Sequence, residues 1–157
     1  MTDHIAATSL IELERHYDAS PGHVFAAWSS ADALMRWGTP GAGWNLTLDA
    51  FEFAVGGRQI SRFSPGNDSE VYVNSSHFHD IVPDARIVSS GSMTRDGTPL
   101  FVGVLTIELA SASGGCLLRL TEQGVFLDGR DRRENHVVGW NSMLDRLGST
   151  AIAAAAL

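Results

Sequence analysis

Between Trp44 and Glu122 the chain shows no helical period. Short strand-like runs alternate with turn chemistry at Gly56-Gly57, Pro65-Gly66-Asn67-Asp68, Pro83-Asp84, Asp96-Gly97 and Ser113-Gly114-Gly115. A stretch of that kind folds as an antiparallel meander, here of about six strands. What flanks it differs. Ahead of it, Ser9 to Tyr17 sets Ile11, Leu13 and Tyr17 on one side at period two and Glu12, Glu14 and His16 on the other, the pattern of a half-buried strand. Ser20-Pro21 then offers a cap and a proline at the first helical position, followed by Val24, Phe25 and Trp28 at helical spacing. Ser30-Ala31-Asp32 opens a second short helix with Leu34, Met35 and Trp37, stopped by Gly38 and Pro40. After Asp128-Gly129 the apolar residues Val137, Trp140, Met143, Leu144, Leu147 and Ile152 return near i, i+3, i+4 and i+7, so a long helix closes the chain. Gly139 and Gly148 weaken it locally by about 1 kcal/mol each relative to alanine.

This order predicts an α+β fold with a bent antiparallel sheet of about seven strands, one before the two short helices and six after, wrapped around the terminal helix. A chain of 157 residues, 44% of them hydrophobic, is long enough for one core. We therefore expect a single domain over residues 1–157 with its core between 9 and 150. The longest apolar stretch, the alanine-rich tail Ala151 to Leu157, falls far short of the roughly 20 residues of a membrane span. Met1-Thr2-Asp3-His4 has neither the basic start nor the apolar run of a secretory signal, and a single cysteine, Cys116, suits a reducing compartment, so a cytoplasmic location is expected. A formal charge of −7, with Arg130, Arg132 and Arg133 as the one basic cluster, argues against nucleic acid as a partner. The tail and the exposed sheet edges are the surfaces a homodimer would use.

Arg15, Tyr17, Ala19, Pro21, Val24-Phe25 and Ala27-Trp28 are followed in order by Leu34 and Trp37-Gly38-Thr39-Pro40, then Gly56-Gly57-Arg58. Asp80-Ile81-Val82-Pro83, Arg86-Ile87-Val88, Leu118, Leu120-Thr121-Glu122 and Gly139-Trp140 complete the series. Together they resemble the START-like, Bet v 1-like SRPBCC superfamily, and within it the branch named after the activator of heat-shock-protein 90 ATPase, from about Leu10 to Leu147. The resemblance implies a helix-grip fold whose interior is a cavity for lipids, sterols, polyketides or other hydrophobic metabolites. Two departures touch the pocket: Ala54 stands where relatives often carry a basic residue, and Asn74-Ser75-Ser76 replaces the glycine usual before the fourth strand.

On this reading Trp28, Trp37, Phe51, Phe78, Leu118, Leu120, Glu122, Trp140 and Leu144 are the candidate ligand-binding residues. The tryptophans and leucines serve equally as core packing. Gly56-Gly57 reads as a hairpin turn, since no helix start follows it as in a phosphate loop. No cofactor is implied. His77 and His79 emerge from one strand face and are weak catalytic candidates together with Glu122. The pair begins a metal site only with a third ligand such as His136 or Glu122. Outward placement around an inward Phe78 is preferred, because Phe78 falls on the aromatic position that relatives carry, and no metal is expected. Glu122 shares parity with Cys116, Leu118 and Leu120, so it faces the interior or the cavity mouth. There it needs a partner, with Arg15 and Arg62 as candidates. Three functions follow, in order of preference: binding a small hydrophobic or amphipathic molecule, a cyclase- or hydrolase-like reaction in the same cavity, and regulation of a chaperone ATPase.

Overall fold

In the computed structural model, which describes residues 4–66 and 70–155, the chain runs β1 (Ala6–Tyr17), α1 (Pro21–Ser29), α2 (Ala31–Trp37) and β2 (Asn45–Phe51). There follow β3 (Arg58–Ser64), β4 (Tyr72–Val82), β5 (Arg86–Arg95), β6 (Thr98–Ala112), β7 (Gly115–Leu127) and α3 (Arg133–Ala155). The seven strands form one antiparallel sheet in the order β1-β7-β6-β5-β4-β3-β2. The meander from β2 to β7 thus pairs neighbour with neighbour, and β1 closes onto β7. Asn67 and Asp68 of one turn signal, the first three residues and the end of the alanine tail lie outside the described residues.

Local chemistry explains the corners. Ser20 accepts a hydrogen bond from His23 N at 3.2 Å and caps α1, with Pro21 as its first residue. Ser30 does the same for α2 through Ala33 N. The indole of Trp37 donates to Ala27 O at 2.8 Å and locks the two short helices together. The hairpin signals at Asp84, Asp96 and Ser113, and the turn at Asp128 between β7 and α3, each place a short polar residue at positive φ, the left-handed conformation such turns need.

The second half of α3 packs closely on the sheet, while its first half rests on β7 and the start of β6 and borders a gap over the rest of the concave face. Leu144, Leu147 and Ala151 of α3 are fully buried against Leu118, Leu120 and Ile107 of the sheet. The closest approach is at Gly148, where a Cβ would stand 2.6 Å from the Tyr17 ring. That ring is itself fixed, its hydroxyl donating to Leu144 O at 2.8 Å, and burial pushes the Tyr17 phenol pKa far up. Cys116 is buried in the same core, where desolvation likewise raises its thiol and keeps it protonated. Beyond the contact of His136 with Phe101, that gap lies between the first half of α3 and β3–β6, and Trp28 of α1 and Leu34 and Trp37 of α2 line its side. No helix of the described residues is long and apolar enough to cross a membrane.

Candidate functional site

Where α3 stands off, a cavity of about 550 Å³ opens between the concave face of β3–β6, α2 with the segment after it, and the first half of α3. Its walls are aromatic. All four tryptophans of the chain, Trp28, Trp37, Trp44 and Trp140, border it. Trp28 packs edge-on to Trp37 at 4.5 Å and lies 6.3 Å from Trp140, and its buried indole nitrogen has no hydrogen-bond acceptor among the described residues.

The floor is polar, and strand parity explains why. Gln59 and Ser61 of β3 lie opposite Ser76 and Asn74 of β4, and Ser89 of β5 lies opposite Phe78, so this set shares the inward face. All of these residues line the cavity. Beside them Gly91, Gly103 and Gly124 stand in register across β5, β6 and β7. A Cβ at Gly103 or Gly124 would come within 2.6 Å of the Phe101 ring. The glycines therefore seat that ring flat against the sheet, and its position matters for what stands above it.

Phe101 and Phe126 hold the imidazole of His136 between them, each ring centroid 4.8 Å away. Its Nδ1 lies 2.7 Å from Glu122 Oε1 and its Nε2 3.0 Å from Asp131 Oδ2, so both nitrogens carry a proton and donate. Burial opposes that charge, but the hydrogen bonds and the negative charges of Asp131 and Glu122 outweigh it and hold the His136 pKa up at about 9. Burial also acts to raise the Asp131 pKa. Hydrogen bonds from His136, Asn135 and the Arg132 backbone overcome it and leave the carboxyl below its usual range. The second oxygen of Glu122 accepts from the Trp140 indole at 2.9 Å, one helical turn beyond His136 on α3. This Asp131-His136-Glu122-Trp140 cluster forms the β6–β7 side of the cavity.

Trp28, Trp37, Phe78, Glu122 and Trp140 are brought together at this cavity. Leu118, Leu120 and Leu144 are not: they lie in the closed part of the core, fully buried, because the second half of α3 packs there without a gap. Phe51 stands back as well. It packs on Phe53 and Phe78 after a register shift in β2, and Phe53 lines the cavity instead. The partner of Glu122 is neither arginine considered from the sequence: Arg15 bonds Asn141 and Asp145, and Arg62 bonds Asp49. His77 and His79 are exposed on the outer face around buried Phe78, and His79 Nε2 lies 2.6 Å from Ser90 Oγ. That placement removes them from the cavity. No group of three or more His, Cys, Asp or Glu among the described residues is arranged to hold a metal ion. Asp131 escaped the sequence reading, although an acidic residue just ahead of a helix, five before a histidine, is a detectable signal.

The sequence model of the family described as Activator of Hsp90 ATPase homolog 1-like protein matches residues 18–151. The chain belongs to that family. Its helix-grip architecture recurs in the crystal structure of the Mll3558 protein from Rhizobium loti, 34% identical, covering 94% of this chain and 99% of that one with a TM-score of 0.82. A protein from Rhizobium leguminosarum is 28% identical with a TM-score of 0.86, over 97% of this chain and 99% of its own. The solution structure of an AHSA1-like protein from Aeromonas hydrophila, 23% identical over 93% and 94% of the two chains, shares the fold with a TM-score of 0.72. No protein of curated function matches the chain.

Proposed function

We propose that this member of the Hsp90-ATPase-activator-like family binds a small amphipathic, largely apolar molecule in the cavity between the sheet and the first half of α3. The cavity itself carries the reading: about 550 Å³, walled by indoles and floored by a short stripe of neutral polar groups, is the form of a small-molecule site. A core without a guest gains by closing such a space, since every unfilled wall forgoes its dispersion contacts. Fold membership alone does not specify a ligand, and the reading rests on the residues that line this particular interior.

A cyclase- or hydrolase-like reaction in the same space would depend on Glu122. His77 and His79 stand outside, and His136 has both nitrogens committed to carboxylates. The regulatory role named in the family description requires a contact surface for a chaperone, whereas the binding reading accounts for the interior. Native mass spectrometry of protein purified from its own host tests it. We expect one small molecule per chain, released on denaturation. Protein that emerges bare and takes up no apolar compound on reconstitution would overturn the proposal.

A further inference from the structure

The charge inventory of the cavity narrows what its guest can be. The ionic side chains that line it are Glu122, Asp131 and His136, and no arginine is among the described lining residues of this lysine-free chain. His136 gives one N–H to each carboxylate and has none left for a ligand. Among themselves these three lining side chains carry one net negative charge, and Arg95, which hydrogen-bonds the lining Tyr72, sets its positive charge near Asp131 rather than near Glu122. Among the described residues each oxygen of Glu122 has one protein donor, His136 on Oε1 and Trp140 on Oε2, while a carboxylate offers about four lone-pair positions. Acceptor capacity therefore remains on a residue that borders the cavity. Trp140 and Trp28 stand beside it, and an indole face attracts a cation. The floor groups Asn74, Ser76 and Ser89 are neutral and both donate and accept, so they favour no head-group charge.

Resting on the binding reading above, we infer that the guest is a hydrophobic amine: its ammonium head bonds the Glu122 carboxylate beside Trp140, and its apolar body lies among Trp28, Trp37 and Trp44. A carboxylate head would meet Glu122 as a like charge in a desolvated place, where the one cation among the described lining residues, His136, already gives both its N–H groups to Glu122 and Asp131. An alcohol would keep the hydrogen bond to Glu122 and lose the ionic part.

Decylamine, decanol and decanoate share one chain length and differ only in the head, and they are titrated at neutral pH below their micelle thresholds. Four cavity-lining tryptophans make intrinsic fluorescence the readout, with calorimetry as a check. We expect decylamine to bind about 10-fold or more tighter than decanol, from a charge-assisted bond plus the indole face, and decanoate to bind weakest. In Glu122→Gln the amine preference over the alcohol should shrink to within about 3-fold while decanol affinity is kept, since the amide retains an acceptor without the charge. The wild-type ranking stands without any variant, so misfolding of Glu122→Gln leaves the test intact. Decanoate binding as tightly as decylamine overturns this inference and leaves the cavity a ligand site. Binding of none of the three overturns the ligand site and this inference with it.

Discussion

Raising the pH should weaken the fold by discharging one buried ring. His136 in an unfolded chain ionises near 6.5, and in the folded protein at about 9. Below pH 6.5 the ring is protonated in both states and the clamp on Glu122 and Asp131 contributes in full. As pH rises through the window from 6.5 to 9 that contribution fades, and above it the neutral ring has one N–H for two carboxylates. At about 1.4 kcal/mol per pH unit the shift corresponds to roughly 3 kcal/mol. The His136 side chain is only 7% exposed, so solvent screening removes little of it. Two assays address the same quantity. The His136 ring titrated by NMR, assigned by its loss in His136→Gln, should show a midpoint near 9, and Asp131→Asn should lower that midpoint by about one unit. Urea unfolding of the wild type at a series of pH values should lose stability across the same window. A ring midpoint at or below 6.5 would refute the clamp.

Gly148→Ala should destabilise by about 1–2 kcal/mol in urea unfolding, because the new methyl presses on a ring held by its own hydrogen bond and this outweighs the helix-propensity gain; equal or higher stability would contradict it. Leu144→Ala, at a fully buried contact of α3 with the sheet, should cost about 2–5 kcal/mol and leave the decanol affinity of folded protein within about 2-fold, because the residue lies outside the cavity. Trp28→Ala, by contrast, removes a wall and should weaken decanol by about 10-fold or more in a folded variant, as seen by calorimetry. Unchanged affinity would reject that wall assignment.

The architecture was legible because its signals are local. Period two in β1, serine caps before α1 and α2, turn residues between the strands and the Trp140, Leu144 and Leu147 part of the α3 stripe read directly from neighbouring residues, whereas Ile152 of that stripe is exposed. The inward parity of Glu122 was legible for the same reason, whereas the face of His77 and His79 was not fixed locally and their outward placement was preferred only from the aromatic position that relatives carry at Phe78. The identity of Glu122's partner was not legible. It depends on how far α3 travels across the sheet, which brings His136 and Trp140 over β7 and leaves Arg15 to Asn141 and Asp145. Nor does parity distinguish a leucine under a closed helix from an aromatic beside an open one. Leu118, Leu120 and Phe78 all point inward, and only the divergence of α3 from the sheet leaves Phe78 at the cavity. The polar floor was within reach of parity, since Gln59, Ser61, Asn74, Ser76 and Ser89 alternate with outward residues on three consecutive strands.

The central claim is that the space under the first half of α3 holds an amphipathic guest, and indole N–H resonances test it most directly. All four tryptophans border the cavity, so a decylamine titration followed by heteronuclear NMR should shift Trp28 and Trp140 most, saturate at one equivalent per chain, and leave the backbone of exposed Leu10 on the outer sheet face unmoved. Indole signals that stay fixed while shifts scatter over the outer face would contradict the account.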